Sequence, residues 1–146
     1  MDLNYSESTK TDNTVYDLLT ALNAENEHDP LRIILMLYDG CMSYLKKAIA
    51  YAESGDVKNK NIYTNKAGDI IFELNKALNM AAGGEVAENL SALYIFMGRH
   101  LVDATQKNST RGLHEVIKML SGLREGWNHV AASASERAKK GMKITN

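Results

Sequence analysis

Cysteine occurs once in this chain, as Cys41, so no internal disulfide framework exists and a reducing compartment is the expectation. Proline also occurs once, at Pro30, so beyond that point no missing amide interrupts a helix. The net charge is only −1, which excludes the strong field that draws in nucleic acid or anionic lipid. The longest apolar run falls far short of the ~20 residues of a membrane span. The opening stretch MDLNYSESTKTDNT lacks the apolar core of a secretory signal. A cytoplasmic protein with no membrane insertion and no nucleic-acid partner is therefore expected. What remains is a chain of 146 residues, 45% hydrophobic and 24% charged, the size and composition of one domain with a real core.

Catalytic signatures are missing too. There is no G-x-G-x-x-G, no P-loop and no Gly-x-Ser-x-Gly. The one Glu-x-x-His spelling, Glu25 to His28, lies in a polar stretch ahead of the first long helix, whereas di-metal bundles carry that pair on core-facing helices. Glu125 and His129 sit four apart but off the apolar stripe of their helix. His100 falls on a seam, where a lone histidine is a hydrogen-bonded or end-of-bundle residue, and Cys41 has no cation at helical spacing to activate it. The expectation is no enzyme, no metal and no cofactor.

The charges that are present are unevenly placed. Residues 1–29 hold seven acids against the single base Lys10, a net of −6. Residues 136–146 hold Arg137, Lys139, Lys140 and Lys143 against Glu136, a net of +3. These are read as solvated tails, with weak tail-to-tail attraction as the sharper alternative. Between them lies a domain, 30–135. Asp29-Pro30 caps and opens a first helix whose apolar residues Leu31, Leu35, Tyr38, Met42, Leu45, Ile49 and Ala52 recur at heptad spacing. Gly55-Asp56 ends it and starts a second helix over about Val57 to Ala82, with Thr64, Ala67, Ile71, Leu74, Leu78 and Ala81 on its seam. Gly83-Gly84 leads to a third with Val86, Leu90, Leu93, Met97, His100 and Ala104. Asn108-Ser109 leads to a fourth with Leu113, Val116, Leu120, Leu123, Trp127, Val130 and Ala134. Joints this short force antiparallel neighbours, so the fold class is all-α: an antiparallel up-down four-helix bundle, preceded by a partly ordered N-terminal segment.

The first helix is too apolar for one face. On a helical wheel its apolar arc spans about 200°, where a bundle helix needs a little over 100°. Ile33, Leu37 and Tyr44 lie on the excess flank. Phe72 stands among polar residues of the second helix, and Ile95 and Val102 form a thin stripe with Gly98 on the far side of the third. Together with Tyr94, these are the candidate partner-binding residues, an apolar groove of the kind that takes an amphipathic helix. The N-terminal cluster VYDLLTAL supplies a candidate plug, Tyr16, Leu18 and Leu19.

DPLRIILMLYDGCMSYLKKAI resembles the first long helix of the flagellar export chaperones that bind flagellin, the FliS-like family, where Ser-Pro or Thr-Pro opens a Leu-x-x-x-Leu-Tyr-Asp-Gly helix. KAGDIIFELNKALNMAAGGEVAENLSALYIFMGRHLVDA is similar to that family's second and third helices, and HEVIKMLSGLREGW to its last, with Leu-Arg-x-x-Trp. The likeness covers about residues 14–130. It implies a chaperone that holds the disordered C-terminal segment of flagellin, prevents premature polymerisation and aids delivery to the type III export apparatus, with other flagellar proteins or export-gate components as further partners. It also implies that the chaperone's own N-terminal segment covers part of the groove when empty. Tyr38, Asp39, Leu90 and Tyr94, as motif residues, are expected to hold the bundle together, with Asp39 pairing along its own helix with Arg32 or Lys46. A monomer or weak dimer fits, and the alternative is a self-associating bundle that serves as an adaptor for other flagellar proteins.

Overall fold

The computed structural model describes residues 30–145, with 130–145 described by their helical backbone alone. The plug residues Tyr16, Leu18 and Leu19 lie outside the described residues. Four helices follow one another: α1 (Pro30–Glu53), α2 (Val57–Lys76), α3 (Met80–Lys107) and α4 (Arg111–Thr145).

Local chemistry sets each joint. At the end of α1, Gly55 adopts φ +81°, a left-handed conformation that a side chain would resist. Its amide donates to the Ala52 carbonyl at 3.1 Å and the Asp56 amide donates to Tyr51 at 2.8 Å, which satisfies the last carbonyls of the helix. Asp56 then caps α2, its carboxylate accepting from the Asn59 amide at 3.1 Å and from the Asn59 side chain at 2.7 Å. At the far end of α3, Asn108 takes φ 51° and ψ 42° and turns the chain into α4.

One joint differs from the sequence reading. Helix α2 stops at Lys76, not near Ala82, because the Asn79 side chain accepts from the Ala82 amide at 3.0 Å and opens a new turn. Gly83-Gly84 is then a kink inside α3, with Gly84 at φ 51° and ψ −127°.

The helices close into a ring in which α1 packs on α2, α2 on α3, α3 on α4 and α4 on α1. The core is drawn from all four: Tyr38, Cys41, Leu45 and Ala48; Ala67, Ile70 and Leu74; Met97 and Leu101; Leu113, Val116 and Leu120. Each large aliphatic among them contributes roughly 1.5–3 kcal/mol by leaving water.

Two seams are rotated from their expected phase. On α1 the buried line runs through Leu37, Tyr38, Cys41, Leu45 and Ala48, while Leu31, Leu35 and Met42 are half-buried at its edge. On α3 the buried residues are Ala87, Tyr94, Met97, Leu101 and Ala104, and Val86 and Leu93 are exposed. A helix in a ring touches two neighbours, so its buried arc is centred between them rather than on one heptad line.

Candidate functional site

Antiparallel pairing of α2 and α3 leaves an open groove between them of about 640 Å³. On α2 it runs from Thr64 to Asn75 and on α3 from Tyr94 to Gln106, about 17 Å at ~1.5 Å per residue. Gly68 and Gly98 keep the middle open, and neither would meet another atom closer than 4.0 Å if it carried a Cβ. Phe72, 66% exposed, stands on the α2 rim, and Ile95 and Val102, 48% and 57% exposed, stand on the α3 rim. Polar groups complete the border: Asn65, Asp69 and Asn75 on one side, Arg99, Asp103 and Gln106 on the other. Acids and base are mixed there, so the groove offers apolar area with no dominant sign of charge. A three-turn helix with an apolar face matches its length.

Tyr94 forms part of the floor and also ties the groove to the core. Its hydroxyl shares a 2.6 Å hydrogen bond with that of Tyr38 on α1, their rings meeting edge to face at 6.5 Å. The Trp127 indole of α4 donates to the same Tyr38 oxygen at 3.1 Å. Burial pushes both phenols above the ordinary tyrosine range, opposed in Tyr38 by the bond to Tyr94, so both stay protonated. Beside this chain of hydroxyls, Arg124 grips Asp39 with two bonds, Nε at 2.6 Å and Nη2 at 3.0 Å. That pairing raises the arginine further above its already high range. It is a link across the bundle, where the sequence reading had placed a pair along α1. Tyr38, Asp39, Tyr94, Arg124 and Trp127 thus join α1, α3 and α4 at one level.

The seven residues singled out from the sequence therefore fall into three environments. Phe72, Ile95 and Val102 meet in the groove, with Tyr94 beneath them. Ile33 and Tyr44 are half-buried against the core; the Tyr44 ring lies against Tyr63 at 5.9 Å, and Tyr63 in turn stacks on Tyr51 at 5.5 Å with Lys66 4.8 Å from its ring centre. Leu37 requires a correction: it is 4% exposed and belongs to the core, on the same flank of α1 as Cys41 and Tyr44, which meet Ala67 and Tyr63 of α2.

Residues not anticipated are Gly68 and the polar rim, whose role depends on which helix lies opposite, and Lys60. The Lys60 side chain is fully buried and donates from Nζ to the Ala104 carbonyl at 2.5 Å and to Asn108 Oδ1 at 3.4 Å. It thereby supplies a cation and a donor to the C-terminal end of α3, where both are favoured. Burial lowers its pKa.

The reactive residue types are placed as structural groups. The Cys41 thiol is buried, donates to the Ala67 carbonyl at 3.5 Å and is pushed up in pKa by burial, which suppresses thiolate chemistry. His100 lies with Nε2 3.6 Å from Glu115 and its ring edge-on to Phe96 at 4.4 Å. Among the described residues no group of three or more His, Cys, Asp or Glu is arranged to hold a metal ion, and no helix is long and apolar enough to cross a membrane.

Comparison with known proteins gives this geometry a context. The profile of the family described as "Flagellar protein FliS" matches residues 12–134. The flagellar secretion chaperone FliS of Salmonella typhimurium is 36% identical over 121 residues, 82% of this chain and 90% of that protein. The flagellar secretion chaperone FliS of Bacillus subtilis is 36% identical over 111 residues, 76% of this chain and 82% of the relative. The flagellar secretion chaperone FliSB of Pseudomonas aeruginosa is 35% identical over 106 residues, 73% and 84% of the two chains. With a four-helix bundle, an open apolar groove and a match over most of its length, the chain belongs to the FliS family of flagellar proteins.

Proposed function

We propose that this protein is a flagellar export chaperone that works in the cytoplasm, holding the C-terminal segment of flagellin as short amphipathic helices, one of them in the α2–α3 groove. The observation that carries the reading is the groove itself: Phe72, Ile95 and Val102 stand exposed on two rims above a floor containing Tyr94. Covering each of the three contributes up to roughly 1.5–3 kcal/mol. Ordering an otherwise disordered client offsets much of that, which suits a complex that must release its cargo at the export apparatus. The function is binding, with no bond made or broken. A client whose polymerising segment is occupied in this way cannot assemble early.

The test is calorimetric titration of a flagellin C-terminal peptide into the full chain and into Phe72→Asp and Ile95→Asp. Both substitutions lie on exposed rims, so unfolding free energy should change by no more than about 1 kcal/mol. Peptide affinity should fall at least tenfold. Unchanged affinity in both variants places the client elsewhere. The proposed plug, Tyr16, Leu18 and Leu19, is tested in the same titration: a chain lacking residues 1–24 should bind the peptide at least as tightly. Self-pairing through the groove is the competing occupancy, and a stable dimer in sedimentation that peptide leaves intact would favour it.

A further inference from the structure

Helix α4 is longer than the bundle it closes. Two pairs fix its register against α1, Asp39 with Arg124 and Tyr38 with Trp127. Running back along the two antiparallel helices from those pairs at ~1.5 Å per residue brings Pro30 level with about residues 133 to 135 of α4. Helix α4 continues to Thr145, which carries it about 15 Å beyond the start of α1. The overhang contains Arg137, Lys139, Lys140 and Lys143 against the single acid Glu136.

The chain enters the bundle at this same end. Residues 1–29 run into Pro30 with seven acids and one base, and Glu25, Glu27 and Asp29 lie within five residues of it. Five residues of extended chain reach about 17 Å at ~3.3–3.6 Å each. Neighbouring helix axes are ~8–10 Å apart, so those carboxylates are tethered within reach of the overhanging bases. Such a short tether gives an effective concentration on the order of millimolar, which an untethered acidic partner must exceed.

We propose that the overhanging basic end of α4 is a docking surface for the acidic segment that precedes Pro30, so that the two ends of the chain pair electrostatically at one end of the bundle. The inference rests on helix register and charge and is independent of what the α2–α3 groove binds. A pairing of this kind, between opposite charges on two chain ends, is expected to weaken with salt, the screening length being ~10 Å at 0.1 M ionic strength and ~3 Å at 1 M.

The experiment is zero-length carbodiimide crosslinking of the full chain, with mass spectrometry on a mixture of isotopically light and heavy protein. Crosslinks within one chain are expected from Glu25, Glu27 or Asp29 to Lys139, Lys140 or Lys143 at low salt, falling at least fivefold in about 1 M salt. The triple change Lys139→Glu, Lys140→Glu, Lys143→Glu should abolish them with the circular dichroism of the bundle unchanged. Adding Glu25→Lys, Glu27→Lys and Asp29→Lys should restore them in swapped polarity. The proposal is overturned if no such intrachain crosslinks form at low salt, if they form only between light and heavy chains (which gives the surface to a second copy), or if the charge swap fails to restore them.

Discussion

Replacing Tyr38 by phenylalanine removes one oxygen and, with it, two hydrogen bonds. Tyr38 is fully buried; its hydroxyl accepts from Trp127 at 3.1 Å and is shared with Tyr94 at 2.6 Å. A typical bond contributes about 1 kcal/mol net, and a buried polar group left without its partner costs about 1–3 kcal/mol more. Tyr38→Phe loses both bonds and strands the buried Tyr94 hydroxyl, so it should cost about 3–5 kcal/mol. Tyr94→Phe loses one bond and leaves the Tyr38 hydroxyl held by Trp127, so it should cost about 1 kcal/mol. The double variant has no stranded phenol left. It should cost about 2 kcal/mol, less than Tyr38→Phe alone, where independent effects would sum to about 4–6 kcal/mol. Urea unfolding of the three variants, followed by far-ultraviolet circular dichroism, reads the cycle directly, provided the slopes agree. Additive losses would refute the idea that these hydroxyls act as one chain, and so would a Tyr38→Phe cost below about 0.5 kcal/mol.

Further expectations follow from the core and the joints. Lys60→Met should destabilise by about 1–3 kcal/mol in the same unfolding assay, because the Ala104 carbonyl loses its buried donor; a gain in stability would mean that desolvating the ammonium outweighs that bond. Leu37→Asp should cost more than about 3 kcal/mol in the unfolding assay, by placing a charge in the core, in contrast to Phe72→Asp on the rim; equal effects would contradict the assignment of Leu37 to the core. The Asp56 carboxyl is held below the usual carboxylate range, first by the bond from the Asn59 backbone amide and then by its side chain. A folded-state pKa below the unfolded one means that the stabilisation is present above the unfolded value and lost as pH falls through the folded one, so Asp56→Asn should flatten the acid limb of the stability–pH curve.

The architecture was legible because each joint carries its own signal. Gly55 and Asp56 stop one helix and cap the next through contacts no more than five residues apart, and Asn108 turns on its own backbone. Asn79 was overlooked because a glycine pair nearby looked like a stronger stop than a single capping side chain. The groove rim was half legible: Phe72, Ile95 and Val102 stand out as apolar residues on polar faces. Leu37 was misplaced because a wheel records the width of an apolar arc but not which neighbour covers it. The Asp39–Arg124 pair spans 85 residues of sequence, so nothing in the spacing of either helix reveals it. Of the floor, Tyr94 was named from the sequence and Gly68 was not, since the two become one surface only once α2 and α3 are side by side.

Trp127 is the only tryptophan in the chain, and its indole nitrogen bonds to the tyrosine whose hydroxyl partner floors the groove. The protein therefore carries an intrinsic optical probe, a single emitter seated where α1, α3 and α4 converge. Its emission needs no deconvolution among several indoles, and energy from the two adjacent phenols drains into it. Anything that loosens that junction, from urea to a ligand pressing on Tyr94, changes the surroundings of one known fluorophore, so unfolding and groove occupancy can be followed in unlabelled protein.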